Sequence, residues 1–130
     1  MASQRWRLQG SASGEHAYFY SGEEARLLLG NRLGHGSQET WFEDDQGRLL
    51  GVITNGERAM VVLLDGAGEA GEHLVDPGGQ GRSDGFLLAN GQVDAYDDRD
   101  TVVFGVAGRA VAQLIDHGGW PDDVVVGGGC

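Results

Sequence analysis

Lysine is absent from this chain, cysteine occurs once and proline twice, and no apolar run approaches the ~20 residues that cross a bilayer. Each scarcity excludes something. A single cysteine, Cys130, leaves no internal disulfide and no thiolate metal cluster. The basic residues are nine arginines against twenty acidic residues, a net charge of −11. That balance repels nucleic acid phosphates and anionic lipid, and it attracts a basic partner over about 8 Å at physiological salt. The arginine-only usage, with the Gly and Ala bias, reads as GC-rich coding rather than chemistry. The N-terminus has neither a positively charged region nor an apolar region of the signal-peptide kind, so the expected location is cytoplasmic, without a membrane partner.

What is abundant is glycine, 24 residues without a collagen-like period, which implies many tight turns around short elements. With 130 residues, 40% apolar and 22% charged, the chain suits one soluble domain. The expected organisation is a single domain over residues 1–126 and a glycine-rich tail over 127–130.

The organising stretch is Leu49 to Leu64, two apolar runs around Asn55-Gly56. Asn-Gly supplies the positive φ angles of a type I′ turn, so the stretch reads as a long hairpin. Its six-residue run Ala59–Leu64 predicts a central strand covered on both sides. Upstream, Arg5–Gln9 predicts a short edge strand and the aromatic His16–Tyr20 a further one, with a turn over Ser11–Glu15. Ser21 with Glu24 forms a capping box, which starts a short helix with Ala25, Leu28 and Leu29 inward and Gly30 and Gly34 at its end. Thr40–Glu43 predicts a strand, joined by the turn Asp44–Gly47 to the central hairpin.

Downstream, Asp65–Gly85 reads as a long glycine-rich surface excursion with at most one short strand at His73–Val75. Phe86–Ala89 and Gln92–Tyr96 flank Asn90-Gly91 and predict a second hairpin, with Asp94 and Tyr96 on one face. Asp94, Asp97, Asp98 and Asp100, relieved only by Arg99, are the densest charge in the chain. Val103, Val106, Ala107, Ala110, Val111, Leu114 and Ile115 form a wide apolar stripe of helical period. The start of that helix stays open, capped by Asp100 or Thr101 or preceded by a strand at Thr101–Phe104. Gly118-Gly119 ends it, and a short strand at Val124–Val126 follows. The fold class is α+β: one domain, a mostly antiparallel sheet with two helices on one face.

The chemistry-bearing residues form no catalytic set. Four histidines lie far apart without metal-ligand spacing, the Gly78–Gly81 stretch lacks the Lys-Ser/Thr ending of a phosphate loop, and no serine sits in a nucleophile elbow. Gly78–Gly81 is therefore read as a flexible loop. No enzyme activity, cofactor or metal is expected, and binding should survive a chelator.

The C-terminal half carries a further signal. In order come Ala59–Leu64, Gly71–Gly78 (GEHLVDPG), Gly85-Phe86, Asn90–Gln92, Tyr96, an Asp-Thr-Val start at Asp100, and a closing Gly-x-Trp-Pro-x-x-Val at Gly118–Val124. This ordered set, over about residues 41–126, resembles immunity protein family one of bacterial polymorphic toxin systems. The resemblance implies a small α+β protein encoded beside a toxin, which it binds and neutralises inside the producing cell. The toxins of such systems are often nucleic acid deaminases, particularly of cytosine in DNA. It carries over positions, not catalytic residues: Glu72, His73, Asp76, Tyr96 and Trp120. Trp120 is read as a plug at the helix end, and Asp76 before Pro77 also suits a turn.

The expected partner is thus a basic, nucleic-acid-acting toxin domain bound by a monomer, one to one, with no direct nucleic acid contact. The expected partner-binding residues are Glu72, Asp76, Asp84, Asp94, Tyr96, Asp97 and Asp98. Two rivals stay open: a small-molecule or enzymatic α+β domain, which needs an apolar pocket with convergent polar groups, and a general acidic DNA mimic.

Overall fold

A computed structural model describes residues 5–10, 18–65 and 71–128. In chain order the elements are β1 (Trp6–Leu8), α1 (Gly22–Gly34), β2 (Glu39–Asp44), β3 (Leu49–Thr54), β4 (Arg58–Leu64), β5 (Glu72–Val75), β6 (Arg82–Leu87), β7 (Val93–Asp97), β8 (Val102–Val103), α2 (Phe104–His117) and β9 (Val125–Gly128). A short 3-10 turn, Asp98–Asp100, links β7 to β8. The main sheet is seven-stranded in the order β1-β2-β3-β4-β5-β9, with β8 also on β4, and every pair is antiparallel. This is the expected α+β domain.

Both helices sit on one face, where alternate strand residues meet their apolar stripes. Phe42, Leu50, Val61 and Leu74 from the sheet share a single core with Ala25 and Leu29 of α1 and Val111 and Leu114 of α2. Fully burying a Phe, Leu or Val side chain stabilises by about 1.5–3 kcal/mol. The capping box forms as the sequence predicts: Ser21 Oγ accepts from the Glu24 amide and Glu24 Oε1 from the Ser21 amide. Gly118, in the left-handed region, ends α2.

Several expectations are corrected. The second face of β4 is not sealed: burial alternates along Arg58–Leu64, with Met60, Val62 and Leu64 only half-buried. Continuous apolar sequence therefore marks one deep face and one thinly covered one. Tyr18–Tyr20, the described part of the His16–Tyr20 stretch, is not a strand; Tyr20 gives one backbone bond to Trp6 O and its ring packs edge-on against Phe42. The Asn55-Gly56 turn is not type I′, because only Gly56 has positive φ (+98°). Asn55 instead accepts from the Glu57 and Arg58 amides through its side chain. At the second hairpin Gly91 (φ +91°) follows an i to i+3 bond from its amide to Leu88 O, the three-residue loop that carries a left-handed glycine.

The surface excursion is more structured than expected. It contains β5, inside the main sheet, and the start of β6. The start of α2 resolves as a strand: β8 pairs with Arg58 and Ala59, and the helix begins after Val103 without a side-chain cap. Gly127 and Gly128, expected in the tail, belong to β9. The Ser11–Glu15 turn and residues 129–130 lie outside the described residues.

Candidate functional site

The strands β6 and β7 form a two-stranded sheet of their own. It docks on the start of β2 and the end of β3 through three bonds that the sequence did not announce. The Leu87 amide donates to Gln38 Oε1 (2.7 Å), the Ala89 amide to Glu39 Oε1 (2.8 Å), and Asn55 Nδ2 donates to Asp84 O (2.9 Å). Phe86 is fully buried beneath this hairpin, outside the main core, with Tyr96 packed edge-on at 4.8 Å. The hairpin is thus a fixed ridge, and it carries most of the expected binding residues.

At its exit the chain is gathered by one residue. Arg58, whose side chain is 17% exposed, donates to Thr101 Oγ1 (2.6 Å), Asp76 Oδ2 (2.7 Å), Asp98 O (3.0 Å) and Thr101 O (3.0 Å). Asp98 Oδ1 lies 3.8 Å from its Nε and accepts from Ser83 Oγ. The Arg58 guanidinium holds the Asp76 carboxyl below the ordinary aspartate range, aided by the Gly78 amide. Thr101 does not cap α2, because β8 lies between them and Val103 takes the N-cap position. The Gly78–Gly81 stretch, read as a flexible loop, is tied here too: the Gly79 amide donates to Asp76 O, the Asp98 amide to Gly81 O, and a Cβ at Gly79 would stand 2.6 Å from the Asp98 backbone.

The seven expected residues therefore fall into four groups. Asp76 and Asp98 converge on the Arg58 junction, and the adjacent Asp97 is paired instead to Arg82 across the hairpin at 3.2 Å. Asp94 and Tyr96 share a face of β7, where Tyr96 donates to Asp94 at 3.2 Å, and burial followed by the Asp94 charge pushes the Tyr96 phenol up. Asp84 is exposed on β6. Glu72 does not join them. It sits at the far end of β5, where Trp120, packed against the core, donates to its Oε1 at 2.7 Å. Of the other carried-over positions, His73 pairs with Asp100 at 3.2 Å.

No protein-family model, curated protein or solved structure matches the chain. Geometry therefore carries the functional reading. Among the described residues no three His, Cys, Asp or Glu side chains are grouped to hold a metal ion, and no helix is long and apolar enough to cross a membrane. An open groove of about 780 Å³ runs along α1 and α2, bordered by Leu27, Gly30, Phe104, Gly105 and Gly108. Arg58 is the residue that sequence reasoning missed. Its signal was present: a lone arginine opening a six-residue apolar run, in a chain with more than two acids per base.

Proposed function

We propose that this chain is an intracellular immunity protein that binds a cognate polymorphic toxin and inhibits it by occluding its substrate groove. The observation that carries the reading is the acidic hairpin ridge, fixed by the Arg58 junction, on a chain of net charge −11. A hairpin backbone already held in place needs no ordering when a partner arrives, which favours affinity. The ordered motifs of residues 41–126 support the same reading. The toxin is a basic, nucleic-acid-acting enzyme, a DNA cytosine deaminase being the best fit to the resemblance.

Such an enzyme presents a cationic groove for phosphates and takes the target base into a narrow pocket. Asp84 and Asp97, both exposed on the ridge, enter that groove as phosphates do, and Asp94 with the half-buried Tyr96 meets the partner at the margin of the contact. The test is direct. The toxin domain encoded beside this gene is expressed with and without this chain, and uracil in cellular DNA and survival are measured. Protection with a one-to-one complex, and inhibition that is competitive with single-stranded DNA, are the expected results. A stable complex that leaves the enzyme active, or the same inhibition of unrelated basic nucleases, sinks the reading; the second outcome fits a general DNA mimic.

A further inference from the structure

The main sheet ends on β1 at one side and β9 at the other, and the two edges are treated differently. At β1, Trp6 O already accepts from the Tyr20 amide, and the strand carries Arg7. At β9 the sequence is Val-Val-Gly-Gly, without charge, proline or bulge, and among the described residues its only strand partner is β5. Edge strands are normally guarded by such devices, because unpaired amides and carbonyls template another strand. Val125 and Val126 are 46% and 38% exposed.

A groove adjoins this edge. Where the chain leaves the sheet at Asp76-Pro77, β8 takes the place of β5 beside β4, leaving a cleft of about 300 Å³ lined by Pro77, Val103, Val106, Val124 and Val125. The charges around β9 are mostly acidic. Glu72 opens β5 and Asp76 follows it, and Asp122 and Asp123 lead into β9; against them stand Arg109, paired to Asp123, and Arg58, which reaches Asp76.

We propose that β9 is a docking edge that takes an extended, basic segment of a partner protein as an added strand, with one apolar side chain of that segment seated beside Val103 and Val106. Main-chain bonds supply the affinity of such an addition, and alternate side chains its selectivity. The sign of the charge selects the occupant. A second copy would bring two chains of −11 together and add both pairs of Asp122 and Asp123, whereas a basic segment is attracted. The edge belongs to a different sheet from the hairpin ridge.

The experiment uses the full chain, isotopically labelled, titrated with a capped hexapeptide of alternating Arg and Val and with its Glu-Val counterpart. Saturable shifts confined to Val125–Gly128 and the Val103–Val106 wall, with slowed amide exchange in β9, are expected for the basic peptide only. Val126→Lys should weaken binding by about tenfold or more through like-charge repulsion, while Val126→Glu, with the same loss of apolar surface, should not. Circular dichroism verifies that both variants fold. Absence of saturable binding, equal binding of the acidic peptide, shifts confined to β6 and β7, or protection of β9 that rises with protein concentration alone each overturn the proposal; the last assigns the edge to a second copy.

Discussion

Removing the Arg58 guanidinium leaves Asp76, the Asp98 carbonyl and the buried Thr101 hydroxyl without the donor that joins them. Arg58→Met should lower stability by about 2–4 kcal/mol in urea unfolding, since stranded polar groups cost more than the bonds were worth. The junction also sets an acid limit. Asp76 has a lowered folded pKa, so its contribution is present above its unfolded value of about 3.9 and is lost as pH falls through the lower folded value. Unfolding free energy should therefore drop as pH is taken below about 4, and less steeply in Arg58→Met. At Tyr96 the ring serves the scaffold by packing on Phe86. Tyr96→Phe, which keeps that packing and loses the bond to Asp94, is thus the cleaner probe of binding than Tyr96→Ala; it should fold like wild type and speed toxin dissociation.

Within elements, the two helices differ in how their sequence serves them. The α2 stripe is continuous, while α1 relies on its capping box and on few inward residues. Gly30 of α1 and Gly105 of α2 have negative φ and open space where a Cβ would stand. Gly30→Ala and Gly105→Ala should each stabilise by about 0.5–1 kcal/mol, raising the melting temperature by a few degrees, because alanine loses less backbone entropy in a helix. Both line the groove along the helices. If the molecule acts through its hairpin ridge, neutralisation of the toxin should be unchanged by either substitution, and a loss would favour a ligand site in that groove. Gly79 is the opposite case. Gly79→Ala forces a Cβ into the Asp98 backbone and should loosen the loop, read as faster amide exchange at Asp76 and Asp98.

For the whole molecule, the ridge and the net charge should act mainly on encounter. Asp84 and Asp97 are exposed and stand outside the Arg58 bonds, so reversing both to Arg alters the field without dismantling the junction. Association with the toxin should slow by about tenfold at low salt and lose most of its salt dependence, while dissociation changes little. Unchanged rates for this double variant would place the interface elsewhere. Asp98→Arg is a poorer test of the same idea, because Asp98 accepts from Ser83 and approaches Arg58.

The sequence by itself determined what depends on neighbours in the chain. The Ser21 cap, the α2 stripe and its glycine stop, the Asp44–Gly47 turn, both hairpins and the α+β class follow from local spacing, because caps, periodicity and turn residues act over a few positions. The same locality misread Tyr18–Tyr20, where aromatic content signalled a strand but the Tyr20 amide donates to Trp6 O without strand structure. Only the tertiary structure decided that β6 and β7 leave the main sheet, that β5 and β8 share one side of β4, and that the acidic run folds back on Arg58, about forty residues earlier in the chain. Those outcomes rest on pairings between distant segments, whose partners no local pattern names. A charge run in the sequence gives the sign of a surface; which of its carboxylates stay free for a partner is set by the donors that folding brings to them.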